Sequence, residues 1–112
     1  MKIDRELLKG STNLLVLELL KNENMYGRQM IIELKKKSED VFEFGEGTLY
    51  PILHSLEEKG FINSYWDEST AKKRKYYTLT EKGKKQLKAK EEEWHIFSSG
   101  VNKVLGGVSF AN

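Results

Sequence analysis

The 112-residue chain contains no cysteine, which excludes disulfides, zinc–thiolate sites and thiol catalysis together. Its one proline is Pro51, and it has no repeat, low-complexity tract or proline-rich linker to divide it into tethered parts. No apolar stretch approaches the roughly 18 to 20 residues of a membrane span. The opening residues, MKIDRELLKG, intersperse charge with apolar side chains and do not make a secretory signal, so a cytoplasmic protein without membrane contact is expected. Neither sign of charge predominates. Nineteen basic and 17 acidic residues leave a formal net charge of +2, too little to argue for or against nucleic acid.

What is present belongs to a folded domain. A content of 38% hydrophobic and 11% aromatic residues is well above that of disordered chains. The length fits one domain with at most an appended helix, and its modest core would gain stability from a partner. The charge is distributed unevenly: Lys72-Lys73-Arg74-Lys75 places four cations in a row, while acids gather at Glu91-Glu92-Glu93 and between Glu39 and Glu46.

Helical spacing begins at Asp4, a good N-cap, and continues to about Lys21, with Leu7, Leu8, Leu14, Leu15, Leu17 and Leu19 apolar on more than one side. A helix apolar over so wide an arc must be covered twice, once by its own domain and once by a partner. A second helix is expected from Tyr26-Gly27 to Lys37, with Met30, Ile31 and Leu34 as its buried stripe. A third spans about Thr48 to Lys59, where Leu49, Ile52, Leu53 and Leu56 repeat at i, i+3, i+4 and i+7 and Gly60 supplies a left-handed stop. Residues Phe61 to Trp66 and Lys75 to Leu79 then read as two strands around a polar tip. Thr80 caps a last helix on which Leu87, Trp94, Val101 and Val108 lie seven apart, with Phe97 and Val104 between them. Lys90 interrupts that seam, and Gly106-Gly107 should end the helix.

The resulting order, α-α-α-β-β-α, is that of a winged helix-turn-helix, in which the third helix enters the major groove and the hairpin lies on flanking backbone. At 100° per residue the face opposite the apolar stripe of the third helix carries Gly47, Pro51, His54 and Glu58, with Tyr50 and Ser55 beside them. Thr48 stands near its N-terminal end, where amides and dipole favour phosphate. Tyr50, His54 and Ser55 can hydrogen-bond to base edges or phosphates. Lys72, Lys73, Arg74 and Lys75 would neutralise phosphates from the hairpin tip, although lysines also serve to protect strand edges. Tyr76 and Tyr77 alternate, so one packs inward and the other is free to reach a phosphate. Catalysis finds no support: His54 and His95 are distant, the Glu91-Glu92-Glu93 run lacks metal-ligand spacing, and no phosphate-loop or nucleophile-elbow pattern occurs. No metal or cofactor is expected.

Gly47-Thr48-Leu49-Tyr50-Pro51 with Leu56-Glu57-Glu58-Lys59-Gly60-Phe61-Ile62 resembles the third helix of PadR-type transcriptional regulators. Lys73-Arg74-Lys75-Tyr76-Tyr77, with Leu79-Thr80 and Gly83, is similar to their wing and the turn into their last helix, and Tyr26-Gly27 to the start of their second helix. The likeness covers roughly residues 5 to 105. The short, single-helix C-terminal region resembles the small subfamily of LmrR-like multidrug-responsive repressors. This resemblance implies a homodimeric repressor of an inverted-repeat operator, with the last helix crossing the partner's first helix, and a pocket tryptophan at Trp94 able to stack on a planar aromatic ligand.

The expectation is therefore a mainly α (α+β) fold: a winged helix-turn-helix over residues 1–79, then a C-terminal dimerisation helix and short tail over residues 80–112. Expected contacts to double-stranded DNA are Tyr26, Gly47, Thr48, Tyr50, Pro51, His54, Lys72, Lys73, Arg74, Lys75 and Tyr77. The dimer seam would use Leu8, Leu14, Leu87, Trp94, Phe97, Val101 and Val104, and a ligand would meet Leu14, Leu15, Trp94 and Phe97. Two other readings fit parts of the pattern. One is a winged-helix module that binds an acidic protein, which calls for exposed aliphatics on the third helix; the other is a small-molecule carrier dimer without a DNA role.

Overall fold

Asp4 does start a helix, its carboxylate accepting the Glu6 amide at 2.7 Å, but that helix is short. In the computed structural model, which describes residues 3–107, α1 covers only Arg5–Lys9 and α2 covers Thr12–Asn22. The single helix expected from Asp4 to Lys21 is thus two. Gly10 has the weakest helix propensity in the segment, and the Ser11 amide turns back to the Leu8 carbonyl at 2.9 Å, one residue tighter than an α-helix requires. The expected two-sided apolar surface survives the break: Val16, Leu17, Leu19 and Leu20 of α2 are buried, whereas Leu7 of α1 stays exposed.

A second difference follows at once. Met25–Tyr26 forms a two-residue strand, β1, immediately before α3 (Gly27–Lys37), so Tyr26 belongs to the sheet and not to the helix. Strands β2 (Ile62–Asp67) and β3 (Arg74–Leu79) make the hairpin, and β1 joins the other edge of β3, giving the antiparallel order β1-β3-β2. A strand of two residues carries no alternation, which is why the pattern concealed it. Met25, fully buried, pairs with Tyr77 and ties the sheet to the helical core.

Helix α4 (Glu46–Glu58) buries the expected Leu49, Leu53 and Leu56. It ends as its sequence requires, with Gly60 at φ 80° and the Phe61 amide bonded to the Leu56 carbonyl at 3.0 Å. Pro51 sits two residues deeper in the helix than expected, because the helix begins at Glu46. Its missing N–H leaves the Gly47 carbonyl without the usual i+4 donor, on the exposed side.

The turn between α3 and α4 is tightly built. The Ser38 hydroxyl donates to the Leu34 carbonyl at 2.7 Å and accepts the Phe42 amide at 2.9 Å. Glu39 and Asp40 both take left-handed backbone conformations, at φ 53° and 70°. Two such residues in succession cost about 1 kcal/mol or more each, so this turn is held by its neighbours.

Helix α5 (Glu81–Val104) starts at the Thr80 cap, whose hydroxyl accepts the Gly83 amide at 2.9 Å. Its first turns pack into the core through Gly83 and Leu87, while its later turns project from the domain. Gly106 and Gly107, at φ 94° and 73°, close it as expected; Val108 lies outside the described residues.

Where α5 crosses α2, the Glu18 and Glu91 carboxyls meet. Burial and the Glu91 carboxyl raise the Glu18 pKa above its ordinary value, against the opposing charges of Lys21 and Lys37. Its buried Oε2 has no hydrogen-bond partner among the described residues. A native-state pKa above the unfolded one means that the fold holds this proton more tightly. The associated stability is therefore full below the ordinary glutamate value and is lost as pH rises through the raised one. Glu18→Gln is expected to raise Tm by a few degrees at neutral pH and by progressively less toward pH 4, as read by calorimetry across that range.

Candidate nucleic-acid interface

The outward face of α4 is polar and open. Gly47, Thr48, Pro51 and His54 are all exposed, and a Cβ at Gly45 or Gly47 would stand in free space among the described residues. Gly45 caps the helix without a side-chain hydrogen bond, leaving first-turn amides facing solvent. Two polar contacts border this face: an ion pair from Arg28 Nη1 to Glu46 Oε1 at 3.8 Å, and His54 Nε2 with Glu58 Oε1 at 3.0 Å. Both are solvent-exposed and contribute little to stability, so they can exchange for a charged ligand.

Tyr50 is less free than its neighbours. Although 42% exposed, its hydroxyl lies against Gly27, where an added Cβ would come within 2.6 Å of the oxygen. Glycine at the start of α3 is thus the seat for a side chain of α4, which sets the angle between the two helices. Tyr26, just before it, stacks edge-on to Tyr76 at 5.5 Å between centroids, and Tyr76 lies flat against Tyr65 at 5.7 Å. The three tyrosines form one row across the outer face of the sheet.

The wing modifies the expected picture of four free cations. Lys73 Nζ lies 3.1 Å from Glu68 Oε1, and the Arg74 guanidinium sits 4.6 Å over the Tyr26 ring. Hydrogen bonds from the Ser69 hydroxyl and amide hold the Asp67 carboxyl below its ordinary pKa, helped by Arg74, so that acid stays charged. Lys72 is exposed at the tip, and Lys75 is half-buried on the side that faces α4. The wing remains basic, but part of its charge is already answered by Asp67 and Glu68, two acids within the hairpin itself.

Tyr77 is a correction. Only 5% exposed, it points into the core beneath α4 and has no surface to offer a phosphate; its neighbour Tyr76 faces outward instead. Burial pushes the Tyr77 phenol above its ordinary pKa, with Glu57 and Tyr50 adding to the shift. Its role is to support the wing against the helix. Strand alternation established that one of the pair faces inward but not which, because both residues have the same chemistry.

On the far side of the molecule, Leu14, Trp94, Phe97 and Val101 border an apolar groove of about 870 Å³ between α1 and the second half of α5. Trp94 and Phe97 remain 46% and 57% exposed, with ring centroids 6.1 Å apart. Leu8 lines the groove as well, and Val104, at the end of α5, is exposed. Leu15 does not line it, facing the domain instead. Leu87 is also corrected: at 4% exposure it is spent on the chain's own core and has no area left for a partner. A heptad repeat records which residues are covered, not by which chain. Leu7, Val41 and Phe42 complete the groove and were missed, the last two because they come from the irregular turn before α4.

Three helices and a three-stranded winged sheet, with a polar glycine-flanked helix face beside a basic hairpin, define a winged helix-turn-helix of the kind that regulates transcription. The chain belongs to the PadR-like transcriptional regulator family, whose model matches residues 16–89. It is similar to a transcriptional regulator from Clostridium thermocellum, with 33% identity, a TM-score of 0.83 and coverage of 88% of this chain and 96% of that one. A PadR family regulator from Eggerthella lenta superposes with a TM-score of 0.79 at 36% identity, covering 89% of this chain and 86% of its own. An uncharacterised protein from Lysinibacillus sphaericus is 32% identical over 104 residues, which are 92% of this chain and 95% of the relative. The chain is accordingly a DNA-binding regulator and not an enzyme, and no helix among the described residues is long and apolar enough to cross a membrane.

The Gly27–Tyr50 contact is testable as a coupling. Gly27→Ala alone is expected to destabilise by about 1 kcal/mol, because the Tyr50 ring must move; in a Tyr50→Ala background the same change should be neutral or stabilising. Equal costs in both backgrounds, measured by urea unfolding, would show that the seat is immaterial.

Proposed function

We propose that this regulator is a homodimeric cytoplasmic repressor of the LmrR-like subfamily, released from an inverted-repeat operator by a planar aromatic ligand bound where the two chains meet. The observation that carries this reading is the groove beside α5. Leu7, Trp94, Phe97, Val101 and Val104 are all exposed on α1 and the outer turns of α5, an apolar face of the kind that marks an interaction surface. A partner's first and last helices, related by a two-fold axis, would cover it. The dimerisation segment would then be the part of α5 beyond Lys90, with the earlier turns belonging to the winged domain.

In such a dimer two copies of α4 would enter successive major grooves about one helical turn apart, with Gly47, Thr48, Tyr50, Pro51 and His54 toward the bases. Tyr26, Lys72, Lys73, Arg74 and Lys75 would supply backbone affinity and position rather than sequence choice. The competing idea of a protein-binding winged helix calls for exposed aliphatics on α4, and the outer face there carries glycine, threonine, proline and histidine instead.

Release would follow because the groove touches the reading helix through a short path. Val41 and Phe42 line it, and three residues later Gly45 caps α4. An occupant between Trp94 and this turn favours one setting of α4 and α5 over another, which is all that a shift of half-site spacing requires.

Two experiments test the reading. Replacing Lys72, Lys73 and Lys75 together by alanine is expected to weaken duplex binding at all sequences and to lower the salt slope by about 1 per lysine; an unchanged slope in gel-shift titrations would remove the wing from the interface. For the other surface, Phe97→Asp should convert a dimer to a monomer in sedimentation. Planar aromatic dyes should quench Trp94 emission in the parent protein and fail to do so in Trp94→Ala. Quenching that survives that substitution would place the ligand elsewhere.

A further inference from the structure

Trp66 has no role in the function described so far, yet it is one of the two tryptophans in the chain and is 61% exposed. It lies near the end of β2, directly opposite Lys75 on β3. The register fixes which way the pair faces. Ser64 and Tyr77 are the preceding cross-strand pair on the same side of the hairpin. That side is toward α4, because the Ser64 hydroxyl donates to Glu57 Oε2 at 2.5 Å and Tyr77 is buried beside the same carboxylate. Lys75 Nζ, 5.8 Å from the Tyr77 ring centroid, continues that face outward. The neighbouring pair Asp67 and Arg74, with Tyr65 and Tyr76, occupies the opposite side.

Trp66 and Lys75 therefore overhang the angle between the wing and the reading helix, beyond the point where protein fills it. A large indole left open to water forfeits apolar burial worth about 2 kcal/mol. Its partner across the strands is a cation, and Lys72 and Lys73 follow at the tip. An apolar plate beside lysines fits a partner whose surface alternates flat apolar sugars with phosphates. It fits the aliphatic surface of a protein partner poorly.

We propose that Trp66 and Lys75 form a contact pair for the DNA backbone on the inner side of the wing, the indole packing against deoxyribose and its Nε1–H and the lysine ammonium reaching consecutive phosphates. The assignment rests on the DNA-binding reading above and adds to it a residue that stiffens the position of the wing on the duplex without reading bases.

The probe is a labelled duplex of mixed sequence, about 30 base pairs long, titrated at about 50 mM salt, where backbone contacts dominate. Trp66→Ala is expected to lower affinity about tenfold and Trp66→Phe about threefold, with the salt slope unchanged, since no charge is lost. Lys75→Ala should lower both affinity and slope. Tryptophan emission should change on duplex addition in the parent protein and not in Trp66→Phe. Because the indole is exposed, thermal unfolding should be nearly the same in the parent protein and both Trp66 variants. Parent-like affinity in Trp66→Ala, with the emission change intact in Trp66→Phe, would overturn the assignment while leaving the DNA-binding reading in place. So would a change in sedimentation confined to Trp66→Ala, which would mean that the indole packs against a second copy. If the parent protein itself bound no duplex, the DNA-binding reading would fall first and this pair with it.

Discussion

One turn of backbone around Thr80 holds together every surface on which this regulator's function depends. The Thr80 hydroxyl accepts the Gly83 amide at 2.9 Å and donates to the Gly60 carbonyl at 2.7 Å, while the Thr80 amide donates to the Phe61 carbonyl at 3.1 Å. Lys82 adds a bond from its ammonium to the Lys59 carbonyl at 2.7 Å. The end of α4, the start of β2, the end of β3 and the start of α5 are thus fastened at one corner. Gly83 is required there by close approach, since a Cβ would run into the Phe61 carbonyl. Neither the reading helix nor the wing can tilt far without moving the base of α5, because the groups that would have to separate are buried or part-buried hydrogen-bonding partners.

That corner was legible in part. Thr80 as a cap, Gly60 as a left-handed stop and the stripe of α4 are local features, decided within a turn or two of chain, and local chemistry is what a sequence states most directly. The break at Gly10, the strand at Met25–Tyr26 and the inward turn of Tyr77 depend on contacts with distant residues. Tyr77 faces inward only because Met25 and α4 are there to receive it. Leu87 and Trp94 show the same limit more sharply. Both occupy the same position in the heptad, yet one is buried in its own domain and the other is 46% exposed, because α5 leaves the core between them. The row of Tyr26, Tyr76 and Tyr65 was likewise invisible, since it joins three strands of which one was unseen.

Electrostatics on the wing illustrates why a run of cations in sequence overstates charge in space. Arg74 is opposite Asp67 in the register and lies over Tyr26, and Lys73 meets Glu68. A hairpin brings together residues on either side of its tip, so acids before the turn answer bases after it. Among the described residues the wing cations left without an acidic partner are Lys72 at the tip and Lys75 on the α4 side. Such a wing suits binding that must be reversible, because few uncompensated cations supply only a modest electrostatic share of the affinity.

The two tryptophans mark the two ends of this mechanical system. Trp66 stands where the wing is proposed to meet DNA, and Trp94 where a second chain and a ligand are proposed to meet α5. Between them runs a path of fixed geometry: β3 from the wing, the Thr80 corner, then α5 to the groove. A second path leads from the groove through Val41, Phe42 and the buried Phe44 to the N-terminus of α4. In the proposed dimer both paths end in the same place, so an occupant of the groove acts on wing and reading helix together. In that dimer the stiff corner would transmit a rotation of α5 without absorbing it, and the turn at Glu39 and Asp40, fastened through Ser38, would hold the groove against α3. Half-site spacing is then set by whichever packing of the groove is lower in free energy, and a ligand alters it only by the difference in its own contacts with the two packings.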